Sequence, residues 1–214
     1  MLSPNAIRCL RDSCVVFAES SKSTHKLFAR SGIHKPREQI FFLDNANRST
    51  LSKANELINN IARQSLSASL LSDCGMPILF DPGKEILQMC QARSFIIRTI
   101  PAATSWGTAC AVSGFDPPFH LIGFVPQKGP ERRNVLSSFV PLRAHLVLLD
   151  APYRFGALLR DVISVFGPQQ DGFMAWEIGS PMEHYEWGTM DSILRRSLSA
   201  RRNKGRFVLV LNAN

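Results

Sequence analysis

Short apolar runs rich in Val, Ile, Leu and Phe alternate along this chain with longer stretches in which apolar residues recur at helical spacing. A strand covered on both faces reads as a continuous apolar run, whereas a helix buries one stripe. The pattern therefore predicts strands alternating with helices in a largely parallel sheet, an α/β fold. Strands are expected at residues 14–18, 39–43, 67–71, 95–100, 120–125, 145–149, 173–177 and 206–211. Helices are expected at 24–31, closed by Gly32, and at 47–63, where Leu51, Ala54, Leu57, Ile58 and Ile61 form one stripe. Further helices are expected at 83–92, 104–112, 131–140, 154–166 and 190–202. Phe115-Asp116-Pro117-Pro118 interrupts this rhythm, because each proline fixes its own φ and restricts the residue before it. A boundary there gives an N-terminal α/β domain, 1–116, and a C-terminal one, 117–214.

At 214 residues and 45% hydrophobic content, the chain is long enough for one large domain or two smaller ones. Its 25 Lys and Arg against 17 Asp and Glu leave a formal charge of +8, which favours polyanionic partners such as RNA. The excess is spread over both halves. The cysteines Cys9, Cys14, Cys74, Cys90 and Cys110 are odd in number and form neither CxxC nor a zinc-ligand spacing, which fits a reducing cytoplasm. No apolar run approaches the roughly 18 to 20 residues that span a bilayer. Asn5, Arg8, Arg11 and Asp12 stand where a signal-peptide core would lie, so a soluble, unexported, cytoplasmic protein without membrane contact is expected.

The richest stretch for chemistry runs from Leu70 to Gly83. Ligands of open α/β sheets sit beyond the carboxyl ends of strands, and Asp73 falls just past such an end. Gly75 and Gly83 allow close backbone approach. The same residues also suit a tight turn in which aspartates satisfy nearby amides, and both readings stand at this point. Ser20-Ser21-Lys22-Ser23-Thr24 lacks the glycines of a phosphate-binding loop and reads as helix capping. The histidines show no paired ligand spacing, no GxSxG elbow is present, and no metal is expected. Trp106, Trp176 and Trp187 read as packing residues.

The stretch Ser72-Asp73-Cys74-Gly75-Met76-Pro77 with Asp81-Pro82-Gly83 resembles the SDAGTP-x-x-x-DPG signature of the tetrapyrrole-methylase superfamily, in the branch that methylates small-subunit ribosomal RNA. The resemblance runs almost the whole chain. It continues through Thr99 to Thr104, Gly123-Phe124-Val125-Pro126-Gln127-Lys128 with Arg132-Arg133, and Leu148 to Arg154 (similar to FYESPHR). Ala175-Trp176-Glu177, Trp187-Gly188-Thr189 and Lys204 to Val210 complete it. The departures are Ser20-Ser21 after Glu19, Ala102-Ala103, Asp150-Ala151 and Trp176 where the family has arginine. The family's opening strand and glycine-containing loop have no counterpart before Cys14, so the first domain is expected to lack its first strand.

This resemblance implies two α/β domains with S-adenosylmethionine in the cleft between them, in a homodimer. Carried over residue by residue, it implies cofactor contact by Asp73, Gly75, Met76, Pro77, Thr104, Ser105, Leu149 and Ala175. The implied activity is 2′-O-methylation of a cytidine ribose in ribosomal RNA or the small ribosomal subunit. A ribose hydroxyl is a poor nucleophile at neutral pH, which makes a carboxylate base useful, and Asp73, Asp150 and Glu177 are the candidates. Lys128, Arg132, Arg133 and Arg154 are the cations expected to contact RNA. A second cluster, Arg195, Arg196, Arg201, Arg202, Lys204 and Arg206, suits either phosphate contact or a solvated, dipole-stabilised helix end. Two alternatives remain: methylation of a tetrapyrrole-like small molecule, which the GFVPQK and Arg132-Arg133 stretch disfavours, and RNA binding without catalysis.

Overall fold

The computed structural model describes residues 2–43, 47–73, 75–200 and 205–213. They belong to two compact units, Met1–Ala103 and Thr104–Asn214.

The first unit runs α1 (Pro4–Asp12), β1 (Val15–Ala18), α2 (Ser21–Ser31), β2 (Ile40–Phe42), α3 (Arg48–Arg63), β3 (Ala68–Leu71) and α4 (Lys84–Gln91). Its three strands are parallel in the order β2-β1-β3. The central strand β1 is buried along its whole length and divides its side chains between two layers. Val15 and Phe17 pack with Ala54, Ile58 and Ile61 of α3 and Ile86 of α4, whereas Val16 and Ala18 pack with Leu10 of α1 and Phe28 of α2. Helix ends follow local chemistry. The Asn47 side chain accepts from the Thr50 amide at 2.9 Å to start α3, and Gly32, at φ 62°, closes α2. Helix α1 was not expected, although Ser3 caps it and Pro4 occupies its first turn. The apolar stretch 95–100 forms no strand, and Ile96 is 83% exposed. A strand needs a neighbour's free backbone groups, which apolar composition does not supply.

The second unit runs α5 (Ser105–Ser113), β4 (Phe119–Phe124), α6 (Gly129–Phe139), β5 (His145–Asp150), α7 (Phe155–Phe166), β6 (Asp171–Trp176), β7 (His184–Thr189), α8 (Met190–Ser199) and β8 (Phe207–Leu211). The sheet order is β4-β5-β8-β6-β7. Only β4 and β5 pair in parallel; β8 runs antiparallel to both β5 and β6, and β7 antiparallel to β6. The largely parallel sheet expected from the sequence thus holds for the first unit and is corrected for the second. The cause is the unpredicted strand β7, whose return brings α8 and β8 back into the middle of the sheet.

The units meet in sequence between Ala103 and Thr104, ahead of the proline pair at which a boundary was expected. Helix α5 belongs to the second unit because Ala109 and Cys110 pack onto Val147, Phe173, Val208 and Val210. Its end is tied to β7 by the Trp187 indole, which donates to the Ser113 carbonyl at 2.9 Å. Among the described residues, no helix is long and apolar enough to cross a membrane.

Candidate functional site

In the first unit, the carboxyl ends of β1 and β3 lie side by side, since Ala18 is in register with Leu71. That register brings Glu19 and Asp73 together: the Asp73 amide donates to Glu19 Oε2 at 2.8 Å. The Asp73 carboxylate in turn accepts from the Ser20 hydroxyl (2.6 Å), the Ser23 hydroxyl (2.8 Å) and the Ser20 amide (3.3 Å). Asp73 therefore ties the serines at the start of α2 to the end of β3. Ser20 holds the N-cap position as its sequence implied, with its hydroxyl turned to Asp73 and not to a first-turn amide.

Beyond Asp73 the backbone is unusual. Gly75 has φ +78°, and a Cβ there would approach only the Ala103 carbonyl, at 3.9 Å, so its main chain is open to a ligand. Ile78 and Phe80 also hold positive φ, 77° and 68°, a conformation that costs about 1–3 kcal/mol per non-glycine residue and recurs at ligand-binding loops. Met76 and Pro77 are half-buried within this loop. Asp81 lies in the same loop, and its pKa is pushed up to about 6, first by burial, then by the Glu19 and Asp73 charges, against a Ser72 hydrogen bond. Glu19 and Asp81 were not among the residues expected to act. Asp81 sits in the Asp-Pro-Gly turn, but its proximity to two other carboxylates is a product of the β1–β3 register.

In the second unit, β5 and β6 both run antiparallel to β8, so β4, β5 and β6 point the same way. Phe124, Asp150 and Trp176 consequently gather at one edge of the sheet with the start of β8. Side chains alternate faces along each strand. Leu149 and Ala175, both opposite Val208, lie on the face covered by α5. Asp150 and Trp176, both opposite Phe207, lie on the face covered by α7. Of the expected cofactor residues, Leu149, Ala175, Thr104 and Ser105 thus belong to the strands and helix of the α5 layer. The Thr104 hydroxyl accepts from the Gly107 amide at 3.2 Å, and a Cβ on residue 107 would come within 2.8 Å of that oxygen.

The Asp150 side chain is fully buried. Its Oδ1 accepts from the Ala151 amide at 2.7 Å and pairs with Arg154, while Oδ2 has no hydrogen-bond partner among the described residues. Burial raises its pKa, opposed by the Ala151 amide and the Arg154 and Arg132 charges. Glu177, at φ 45°, accepts from the Arg206 amide at 2.5 Å and from its guanidinium at 3.2 Å. Partial burial alone would raise its pKa, but these hydrogen bonds and the Arg206 charge together lower it. Trp176, in the position of a family arginine, packs on Phe155 and Phe207, with ring centroids 4.5 and 5.4 Å away.

The expected RNA-contacting cations divide by exposure. Lys128 is 79% exposed, beside Glu131 at 3.5 Å, and Arg133 is 42% exposed while donating to Asp161 at 2.8 Å. Arg132 is instead buried, bonded to Asp161 and to the carbonyls of Pro126 and Gln127. Arg154 is turned inward onto Asp150. In the second cluster, Arg195 pairs with Asp191, Arg196 donates to the Trp187 carbonyl at 2.9 Å, and Arg206 holds Glu177. Arg201, Arg202, Lys204 and Cys74 lie outside the described residues. Among the described residues, no three His, Cys, Asp or Glu side chains are grouped to hold a metal.

Residues 1–194 match the family described as Tetrapyrrole (Corrin/Porphyrin) Methylases. The ribosomal RNA small subunit methyltransferase I of Coprothermobacter proteolyticus is 29% identical over 206 residues, covering 96% of this chain and 89% of that protein. Among solved structures, a diphthine synthase superposes with a TM-score of 0.69 at 18% identity, over 99% of this chain and 84% of that one. A uroporphyrin-III C-methyl transferase from Thermus thermophilus, complexed with S-adenyl homocysteine, superposes with a TM-score of 0.60 at 15% identity, over 99% and 90% of the two chains. At these identities the superpositions establish a shared fold.

Proposed function

The chain belongs to the tetrapyrrole (corrin/porphyrin) methylase family, and from that premise we propose that it uses S-adenosylmethionine to methylate a cytidine ribose 2′-hydroxyl in small-subunit ribosomal RNA. The observation that carries this reading is the alignment of 96% of the chain with a protein named ribosomal RNA small subunit methyltransferase I. A net charge of +8, with Lys128 and Arg133 reaching solvent, supports a polyanionic substrate. A cytoplasmic homodimer completes the reading.

The residues present fit the cofactor. Gly75 leaves main chain open to a ligand, and the Glu19, Asp73 and Asp81 carboxylates complement a cationic sulfonium. When bound, S-adenosylmethionine supplies an electrophilic methyl group. Gly75, Met76 and Pro77, with Thr104, Ser105, Leu149 and Ala175, are assigned to hold it, largely through main chain. Asp73 is a positioning residue, because its carboxylate already accepts three hydrogen bonds from Ser20 and Ser23. Asp81 is the better candidate to take the proton leaving the ribose hydroxyl, since a carboxylate raised to about 6 is the stronger base. Lys128 and Arg133 are assigned to RNA phosphates, with Arg132 holding the turn that presents them.

A second reading, RNA binding without turnover, is favoured by one observation: Asp73, Asp150 and Glu177 are all engaged with internal partners. Thermal unfolding with and without saturating S-adenosylmethionine separates the two. A ligand at 100 times its dissociation constant stabilises by about 2.7 kcal/mol, which for a chain of this size raises Tm by roughly 5–10 °C. That rise, followed by transfer of labelled methyl to small-subunit ribosomal RNA, is the expected result. No rise would remove the methyltransferase reading and leave the second.

A further inference from the structure

We propose that Tyr153 is a stacking platform for an unpaired RNA base, with Arg160 contacting the adjoining backbone; this rests on the RNA reading above. Tyr153 is 77% exposed although Arg154, which follows it, is held in place. It occupies a single 3-10 turn, Pro152–Arg154, between β5 and α7. The Arg154 amide donates to the Ala151 carbonyl at 2.9 Å, and its guanidinium is paired with the fully buried Asp150 carboxylate. Phe155, next along the chain, is wholly buried against Trp176 and Phe207. The turn is thus anchored by Arg154, through its amide and its guanidinium, and by Phe155, while the phenol ring between Pro152 and Arg154 stays exposed. A tyrosine has only two side-chain torsions to order, so such a ring offers contact area at small entropic cost.

The surroundings state the partner's chemistry. Strand β4 lies beside β5 in parallel, and its last residue, Phe124, is 53% exposed at the same edge of the sheet. On α7, the Arg160 guanidinium folds back over Gly156, where an added Cβ would stand 3.4 Å from its Nη1. That direction carries its charge toward the first turn of the helix, which Tyr153 precedes. On α6, packed beside α7, Arg133 is held half-exposed by Asp161, and Lys128 is exposed. Exposed aromatic faces set among cations suit unpaired bases joined by phosphates, because every base has a face to stack and every linkage a charge to neutralise. A duplex keeps its bases stacked on one another and would use the cations alone.

The test measures binding of an oligocytidylate strand, alone and annealed to its complement. Tyr153→Ala is expected to weaken single-strand binding by roughly 5- to 100-fold, the loss of one stacked base, and to leave duplex binding unchanged. Tyr153→Phe keeps the ring and is expected to bind the single strand within about twofold of wild type. Arg160→Gln is expected to reduce the salt dependence of single-strand binding by about 0.7 in slope. Wild type that binds the single strand while Tyr153→Ala matches it overturns this inference alone. Equal losses for single strand and duplex also overturn it, since stacking does not weaken both. Wild type that binds neither form removes the RNA reading and this inference with it.

Discussion

The Arg132 guanidinium is buried against the Asp161 carboxylate, with Nε 2.7 Å and Nη2 2.5 Å from Oδ2, so a cation expected from the sequence to contact RNA serves to join α6 to α7. Its Nη1 donates to the carbonyls of Pro126 and Gln127, which fixes the turn leading into α6. The other Asp161 oxygen accepts from Arg133, and one carboxylate thereby organises both arginines.

Removing that carboxylate leaves Arg132 buried and uncompensated. Asp161→Ala is expected to cost about 3–5 kcal/mol in urea unfolding. The double variant Arg132→Met, Asp161→Leu should recover most of this, because an apolar pair needs no desolvated charge. Recovery by neither charge removal nor repacking would contradict the ion-pair account.

Asp73→Asn keeps an acceptor for the serines at the start of α2 and is expected to retain stability within about 1 kcal/mol. Asp73→Ala loses all three hydrogen bonds and is expected to cost roughly 1–2 kcal/mol. Methyl transfer by Asp73→Asn should fall less than about tenfold. A loss of 100-fold or more at full cofactor affinity would identify Asp73 as a base instead.

Asp81 makes stability depend on pH. Its folded pKa, about 6, exceeds the unfolded value of 3.8, so the folded state holds its proton more tightly. The stability this contributes is fully present below pH 3.8 and is lost as pH rises through 6. Asp81→Asn should therefore raise Tm at pH 7.5 more than at pH 4, by roughly 2–4 °C for about 1 kcal/mol after allowance for solvent screening. Equal Tm changes at the two pH values would argue against the shift.

Gly172 on β6 leaves no space for a side chain, since a Cβ would stand 2.6 Å from Met190 Cε and 2.7 Å from the Val210 carbonyl oxygen. The methionine end can move, but the carbonyl belongs to the neighbouring strand. Gly172→Ala is expected to cost about 1–3 kcal/mol in chemical denaturation. A neutral result would mean that β6 and β8 separate more easily than their pairing implies.

Lys128 is exposed and makes one surface ion pair with Glu131. Lys128→Ala should leave stability within about 0.5 kcal/mol while reducing the slope of log affinity against log salt by about 0.7 for single-stranded RNA. An unchanged slope would exclude Lys128 from the interface.

Much of the architecture was readable locally. The apolar runs in β1, β5 and β8 mark strands covered on both faces, and the stripe Ala54, Ile58 and Ile61 marks the buried side of α3. These signals survive in sequence because they depend on spacing along one element. Strand β7 is not a continuous apolar run, because polar His184, Glu186 and Gly188 alternate with Tyr185 and Trp187, and it therefore lacks the signal that marked the other strands. Conversely, Phe95, Ile96 and Ile97 carry strand-like composition but join neither sheet, and the Phe95 amide instead donates to the Cys90 carbonyl at the end of α4.

The site divides the same way. Residues standing beyond strand ends could be picked out along the chain, where motifs pointed to the Asp73–Gly83 loop, Asp150 and Glu177. Which partners engage those groups was settled by packing between distant segments. The β1–β3 register joins Asp73 to Ser20 and sets Asp81 beside Glu19, the pleat turns Asp150 onto the α7 face, and helix packing commits Arg132 to Asp161. A charge's availability depends on its neighbours within a few ångströms, and most of these neighbours lie far away along the chain.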